Sequence, residues 1–575
     1  MPTTDPTTLA LTGQLPFILS AGAVLALPLS YLLLRLYRRA LLRGMSHRGE
    51  KPGGGREASH AERAGSMSPP AGEFRLTVLD ASPSAGTGNG AGSLLRLARS
   101  SPWRAGMVYG AGGVVFAAIM AFCFLRSSNT EFLPLRYLIL LWVFSWPLVP
   151  TLALVAATGR KTRLLLMAAH GAIFVALGAV ALARSPDSSV WQLAVLWLST
   201  NLPPTLLLLV FLIRTVRAVG PLVVTFMVMA LTGSNLLLSV LDRHQGVLRS
   251  VAEVGFSLGL GGTGVFWALI LIGFLLFAVL GWFALQWIRR RYLAKGMNDQ
   301  SLILDALWLL FGISYSIGLA FEGAAWILSG LVAFGGYKAT VLAGFRLACG
   351  IGAPPRNARL LILRVFSLGK RSEELFDAVT RHWRYLGDVR LIAGPDLAMA
   401  TVEPHEFLDF VSGRLDRQFI DGPDALTRRL KELDTRPDFD GRFRVNDFFC
   451  HDDTWQMTLA RLVGTSDVVL MDLRGFSPQN AGCAYELHEL VATAPLERVI
   501  IAMDATTDAG FLEQTLRDAW GAMPAGSPNR SAKADAKIVR LPPTGDQGLF
   551  ALLGLLCTAA GEANSRAARF RADSA

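Results

Sequence analysis

The sequence has few cysteines throughout and few acidic residues over its first part. The five cysteines of the 575-residue chain are scattered and form no Cys-x-x-Cys pair, which argues against a disulfide framework or a zinc site. Residues 1–350 contain 28 Lys and Arg but only 13 Asp and Glu, whereas residues 351–575 contain 27 and 31. The net charge of +11 therefore belongs to the first part, and nucleic-acid binding is not expected. No metal or resident cofactor is predicted.

Long apolar runs dominate that first part. A membrane span takes about 20 mostly apolar residues, and seven runs qualify: Leu15–Leu36, Ala105–Leu125, Tyr137–Ala157, Leu164–Ala183, Trp191–Ile213, Ala218–Leu241 and Gly264–Ile288. A further stretch, Leu302–Leu347, is interrupted by Glu322 and Gly323. This stretch is either a tight transmembrane hairpin or a pair of interfacial helices. The count is about seven spans, or about nine if the hairpin crosses.

Basic residues alternate from loop to loop along these runs. Arg35, Arg38, Arg39 and Arg43 follow the first run, and Arg289–Arg291 follow the seventh, whereas loops such as Arg126–Pro134 are poor in Lys and Arg. The positive-inside rule then places the N-terminus outside and the part after the last span in the cytoplasm. We therefore predict a multi-pass protein of the cell inner membrane, with the lipid bilayer as its partner and its loop charge facing anionic lipid.

The composition divides the chain into six parts. Residues 44–103 are rich in Gly, Ser, Pro and Ala and predict a flexible cytoplasmic linker, in which only Phe74–Leu79 has strand character. The remaining parts are an N-terminal anchor (1–43), a transmembrane helical bundle (104–300), the apolar hairpin (301–349), a cytoplasmic α/β domain (355–545) and a C-terminal helix and tail (546–575).

The cytoplasmic part alternates between strand-like and helix-like runs, which predicts a doubly wound, flavodoxin-type parallel sheet. The predicted strands are Leu360–Phe366, Val389–Ala393, Phe443–Phe449, Asp467–Leu473, Arg498–Asp504 and Lys537–Leu541. The predicted helices are Glu373–Tyr385, Phe407–Gln418, Asp424–Leu433, Trp455–Val463, Pro478–Thr493 and Ala509–Trp520. Since ligands bind beyond the carboxyl ends of the strands in such sheets, we look for functional residues there.

The segment Thr465–Leu490 carries the most suggestive pattern. The apolar strand Val468–Met471 ends in Asp472, and a polar loop then enters a helix with Ser477 as the expected N-cap and a proline at the first position. Glu486 lies about two turns into that helix. Its carboxylate is expected to project over the strand ends beside Asp472.

This pattern resembles the TIR and TIR-like superfamily. Residues 483–487 read Cys-Ala-Tyr-Glu-Leu, as in the family's Cys-x-x-Glu-Leu pattern, and residues 360–370 resemble its first strand and polar loop. The resemblance covers about residues 357–541. Gly482 stands where the family commonly has Trp, and an insertion lies around Glu403–Arg442.

The resemblance implies chemistry at the C1′ carbon of a sugar. In enzymatic TIR domains the helix glutamate cleaves the nicotinamide–ribose bond of NAD, and the pattern is also similar to nucleoside deoxyribosyltransferases. A carboxylate suits such a reaction because it stabilises an oxocarbenium-like centre. The implied roles are catalysis for Glu486, ribose binding for Asp472, phosphate contacts for Ser367, Gly369 and Lys370, and base stacking for Phe476 or Trp383.

Structural interpretations of the same residues stand beside these roles. Glu486 on an amphipathic helix is also interpreted as a solvated surface residue, and Asp472 as the cap of a turn. The run Cys450-His451-Asp452-Asp453 is interpreted as a helix cap, with Asp452 or Asp453 capping the helix near Trp455, because neighbouring side chains point different ways.

Three functions remain open at this point. The first is a membrane-tethered signalling or stress-response protein whose TIR-like domain binds and cleaves a nucleotide. The second is a non-catalytic sensor or scaffold that acts by self-association of that domain. The third is a transporter whose cytoplasmic domain binds a regulatory nucleotide.

Overall fold

The computed structural model describes residues 6–46, 74–80, 89–128, 133–157, 160–184, 190–211, 216, 219–349, 357–365, 370–394, 402–530, 534–542 and 546–573. Two compact units emerge. The first comprises Met1–Tyr37, Ala105–Ala348 and Val402–Ser412, and the second comprises Arg38–Arg104, Cys349–Thr401 and Gly413–Ala575.

The first unit is helical. Its helices are α1 (Pro6–Ser46), α2 (Asn89–Ser127), α3 (Pro134–Phe144), α4 (Leu148–Val155), α5 (Arg160–Arg184), α6 (Val190–Phe211), α7 (Gly220–Arg243), α8 (Gln245–Ser257), α9 (Gly262–Leu293), α10 (Asp299–Ala320) and α11 (Ser329–Cys349), of which α1 and α2 extend into the second unit. By length and composition, eight of the described helices could cross a membrane, or nine if α3 and α4, which meet at 45°, form one broken span. Several long apolar helices are thus present, as the sequence predicts for a multi-pass membrane protein.

The stretch Leu302–Leu347 forms two long helices, α10 and α11, rather than one interrupted run. Gly323, with φ of +149°, lies in the turn after α10. The two helices touch backbone to backbone, because a Cβ on Gly330 would lie 2.1 Å from the carbonyl oxygen of Gly312. The Ser316 hydroxyl accepts a hydrogen bond from the Gly330 amide at 2.7 Å. Both helices pass the length and composition test for a span, which favours the hairpin interpretation.

A short helix within the insertion belongs to this first unit, although the predicted 355–545 domain includes it. Helix α13 (Pro404–Val411) contacts α9, where Arg289 and Asp409 form an ion pair at 3.0 Å. His405 stacks on Tyr292 with ring centroids 5.6 Å apart. The insertion is therefore divided between the two units, with its residues up to Ser412 in the first and those from Gly413 in the second.

The second unit is built on eight parallel strands. They are β1 (Phe74–Asp80), β2 (Leu360–Arg364), β3 (Val389–Ile392), β4 (Phe419–Ile420), β5 (Val445–Cys450), β6 (Val468–Asp472), β7 (Val499–Met503) and β8 (Ala534–Arg540). Their order across the sheet is β1-β8-β7-β6-β2-β3-β5-β4. The five strands β2, β3, β6, β7 and β8 run in the flavodoxin-type order 2-1-3-4-5. Strand β5 lies beyond β3, and the insertion adds β4 beyond β5.

Continuous apolar runs explain the central strands. Every residue of β2, β6 and β7 is buried, as expected where helices cover both faces of a parallel sheet. The helices of this unit are α12 (Lys370–Trp383), α14 (Pro423–Lys431), α15 (Trp455–Thr465), α16 (Ala481–Thr493), α17 (Ala509–Gly521) and α18 (Asp546–Asp573). Leu487, Leu490 and Val491 of α16 belong to the apolar core of the unit.

Some predicted details are wrong. The 44–103 segment is not wholly a linker: β1 pairs in parallel with β8 from Phe74↔Ala534 to Asp80↔Arg540, and α2 already begins at Asn89. Its parts 47–73 and 81–88 lie outside the described residues.

Two predicted helix caps are also wrong. Helix α16 begins at Ala481, because the Asn480 side chain accepts a hydrogen bond from the Ser477 amide and closes a polar turn first. Thr454, and neither Asp452 nor Asp453, is the N-cap residue of α15.

Candidate functional site

The strand order reverses between β2 and β6. From β2 the chain builds the sheet outward through β3, whereas from β6 it builds the other way through β7 and β8. At such a switch point the loops after the two strands diverge and leave room for a ligand. The last residues of the two strands, Arg364 and Asp472, are register partners. We call the set formed by Arg364, Asp472, Arg474, Cys483 and Glu486 the switch-point cluster.

Asp472 is buried and held by the loop that follows β6. Its carboxylate accepts two side-chain hydrogen bonds from Arg474, at 2.8 Å from Nε and 2.7 Å from Nη2. The Arg474 amide also lies 3.3 Å from Asp472 Oδ1. The turn-capping interpretation of Asp472 is therefore confirmed. In this conformation Asp472 is only 2% exposed, so ribose binding would require the surrounding loop to move.

A second charged pair extends the same edge to β7. Arg371, in the first turn of α12, forms an ion pair with Asp504, which follows β7. Arg474 Nη2 donates to the carbonyl oxygen of Arg371 at 2.9 Å and so joins the two pairs. Burial alone would raise the pKa of Asp504, but hydrogen bonds from Thr506 and the positive charges of Arg371 and Arg474 outweigh burial and lower it. Positive and negative side chains thus alternate along the carboxyl ends of three neighbouring strands.

The surroundings of Glu486 stabilise its ionised form poorly. Its side chain is enclosed, with the residue 3% exposed, and among the described residues no hydrogen-bond partner reaches its buried Oε2. Burial raises the pKa of Glu486 to about 8, although the positive charge of Arg364 opposes the rise. The interpretation of Glu486 as a solvated surface residue is therefore wrong. A buried carboxyl with a displaced pKa is typical of acid–base and ligand sites.

Cys483 places α16 over the end of β2. Its thiol donates to the carbonyl oxygen of Arg364 at 3.6 Å, and Glu486 follows three residues later on the same face of the helix. Burial, together with the negative charge of Glu486, raises the pKa of Cys483 to about 12. A thiol in that state is no nucleophile near neutral pH.

The two aromatic side chains proposed to stack on a base do not fit that role. Trp383 is completely buried, and its indole nitrogen donates to the carbonyl oxygen of Ala358 at 3.0 Å. Phe476 is also completely buried and packs on Phe511. Both rings are packing residues, because neither has a solvent-exposed face.

The predicted phosphate contacts lie mostly outside what the structure describes. Ser367 and Gly369 fall in the segment 366–369, which is not among the described residues. Lys370 begins α12, and only its backbone is described. The positive charge that the structure does describe nearby comes from Arg364, Arg371 and Arg474. The sequence prediction gives none of these three arginines, nor Asp504, a role in the site. Each of these four residues ends or follows a strand or begins a helix at the sheet edge where ligands bind, which is the signal that would have identified them.

Neither a metal site nor a known relative adds to what the geometry of this site shows. Within the described residues, no three His, Cys, Asp or Glu side chains lie together as metal ligands. No family model, no curated protein and no solved structure matches the chain.

Proposed function

We propose that the second unit is a TIR-like domain that cleaves the N-glycosidic bond of NAD or a related nucleotide in a membrane-tethered signalling or stress-response protein. The observation that carries this proposal is Glu486: a buried carboxyl with one oxygen unpaired among the described residues, at the switch point of a flavodoxin-type sheet. Arg364, Arg371 and Arg474 at this edge support an anionic, phosphate-bearing ligand, which would compete with Asp504 for Arg371 and with Asp472 for Arg474.

In the proposed reaction the bond between C1′ and the base nitrogen breaks and its electron pair leaves with the base. The Glu486 carboxylate stabilises the oxocarbenium-like centre at C1′. Water then adds at C1′ and releases its proton to solvent. Glu486 acts in its ionised form, and with a pKa of about 8 only about a tenth of it is ionised at pH 7. A base carrying positive charge favours that ionised form, so we expect NAD to be cleaved faster than neutral nucleosides.

The test uses the full-length protein in liposomes, incubated with NAD and a panel of nucleosides while base release is followed. We expect Glu486→Gln to abolish release and Glu489→Gln, on the same helix, to retain it. We also expect kcat/KM to rise as pH increases and to level off above about pH 8, because this parameter reports ionisation in the free enzyme.

Release that is unchanged in Glu486→Gln would reject Glu486 as the catalytic group. Absence of release from folded, membrane-bound wild type would reject the enzymatic proposal and favour the non-catalytic scaffold. The burial of Asp472 and of Trp383 favours that second candidate, because neither side chain is exposed to a ligand in this conformation.

A further inference from the structure

Helix α1 ends on the α/β unit, at the edge formed by β4 and β5. The part of α1 from Arg38 onward belongs to that unit. The carbonyl oxygen of Met45 accepts a hydrogen bond from the Asp452 amide at 3.0 Å. Gly44 lies against Phe419 so closely that a Cβ would come within 2.4 Å of the ring. The last turn of α1 therefore docks on the unit with a specific fit.

His451, just after β5, is the centre of this contact. Its Nδ1 lies 2.6 Å from the carbonyl oxygen of Gly44, and its Nε2 lies 2.8 Å from Asp421 Oδ1. A carbonyl and a carboxylate are both acceptors, so each ring nitrogen must supply a proton. Neutral imidazole carries one N–H, and its other nitrogen would turn a lone pair toward an oxygen. The geometry thus selects the imidazolium form.

Two further features favour a positive charge at this position. The Gly44 carbonyl lies at the C-terminus of α1, the negative end of the helix dipole. The ring of Phe419 stacks on the imidazole with centroids 5.1 Å apart, an arrangement in which an aromatic face attracts a cation. The charged residues that flank this contact along the chain are Asp421 after β4, Arg43 in the last turn of α1, and Asp452 and Asp453 after β5. Arg38 and Arg39 of α1 and Asp447 of β5 lie further along the same elements. Asp421 is the one paired with the ring.

We propose that His451 is a proton-controlled latch: as imidazolium it holds the last turn of α1 against the β4–β5 edge, and loss of its proton releases that turn. Histidine suits this role because it is the side chain that ordinarily changes charge between about pH 5 and 8. The latch is independent of any chemistry at Glu486. It makes the docking of the α1 terminus depend on acidity on that side of the membrane.

Hydrogen exchange of the full-length protein in nanodiscs tests the latch. We would measure protection factors for the last turn of α1 from about pH 5.5 to 9 in wild type, His451→Gln and the control His488→Gln. In wild type, protection should fall about ten- to a hundredfold as pH rises, the loss expected for a hydrogen bond to a charged group. His451→Gln should show the low value at every pH and meet wild type at the alkaline end. His488→Gln should follow wild type.

Two more variants isolate the mechanism. Repeating the series in a Glu486→Gln background removes the pH dependence of global stability that arises from Glu486. Gly44→Ala should lower protection at all pH values because it blocks docking sterically, whereas Gly464→Ala, with open space at its Cβ, should not. Protection that does not change with pH in wild type would overturn the latch. Equal protection in wild type and His451→Gln at low pH would also overturn it.

Discussion

Replacing Glu486 by glutamine should remove a large pH dependence of stability. The pKa of Glu486 rises from its ordinary value of 4.5 to about 8 on folding. Between these values the folded protein holds a proton that the unfolded chain has released, so the free energy of unfolding falls as pH rises. The stability that this proton contributes is fully present below about pH 4.5 and is lost by about pH 8.

The expected size follows from the shift. Each pKa unit corresponds to about 1.4 kcal/mol, so the loss between pH 4.5 and 8 amounts to about 5 kcal/mol. Little of this is screened, because the side chain is enclosed. For a domain of about 150–250 residues, 5 kcal/mol corresponds to roughly 10–20 °C in Tm.

Thermal unfolding of the full-length protein in nanodiscs, followed by tryptophan fluorescence, provides the assay. Other groups also titrate, so the informative quantity is the difference in Tm between Glu486→Gln and wild type at each pH. Near pH 5 the difference should be small, since a protonated carboxyl and an amide are both neutral and leave a similar buried donor. Near pH 8 the variant should be more stable by most of the full amount.

The matched control is Glu489→Gln, three residues along the same helix, whose curve should parallel wild type. A difference in Tm that stays constant from pH 5 to 8 would refute the reasoning. It would mean that Glu486 is ionised in the folded protein and that Arg364 compensates its burial fully.

Two further substitutions test packing and sheet register. Gly330→Ala should destabilise the α10–α11 hairpin by about 1–3 kcal/mol in a detergent-unfolding assay, because the new Cβ meets the Gly312 carbonyl. The control Gly335→Ala should be neutral in that assay, because its Cβ meets open space. Arg359→Lys should cost about 1 kcal/mol by breaking the two-pronged contact with Asp467 between the starts of β2 and β6. Arg517→Lys, in an exposed pair with Glu513, should change stability by less than about 0.5 kcal/mol in urea unfolding.

The sequence predicts elements well where local pattern decides them. The apolar runs that become β2, β6 and β7 lie within one or two residues of their predicted positions, because strands buried on both faces need continuous apolar sequence. The same kind of local pattern predicts the start of helix α16 at Pro478, three residues too early. Ser477 and Pro478 match helix-start signals, and only the hydrogen bond to Asn480 shows that they form a turn instead.

Such local patterns do not predict contacts between residues that are far apart in the sequence. Strand β1 pairs with β8 although 460 positions separate Phe74 from Ala534, and nothing near Phe74 indicates its partner. His451 looked like part of a helix cap because its partner Gly44 lies 407 positions away. Trp383 looked available for stacking because its bond to Ala358 depends on how α12 lies on the sheet.

The burial of Glu486 provides a test of whether this residue is present for packing or for function. A carboxyl whose pKa is about 8 costs roughly 3 kcal/mol of stability at pH 7 relative to a neutral isostere, a large share of the 5–15 kcal/mol by which domains are stable. A residue selected only to fill the space over β2 and β6 would be glutamine or an aliphatic side chain. If Glu486→Gln is more stable at pH 8 and also inactive, the carboxyl is retained for chemistry. If the variant is more stable and the protein never had activity, the carboxyl acts as a proton-binding group of a scaffold.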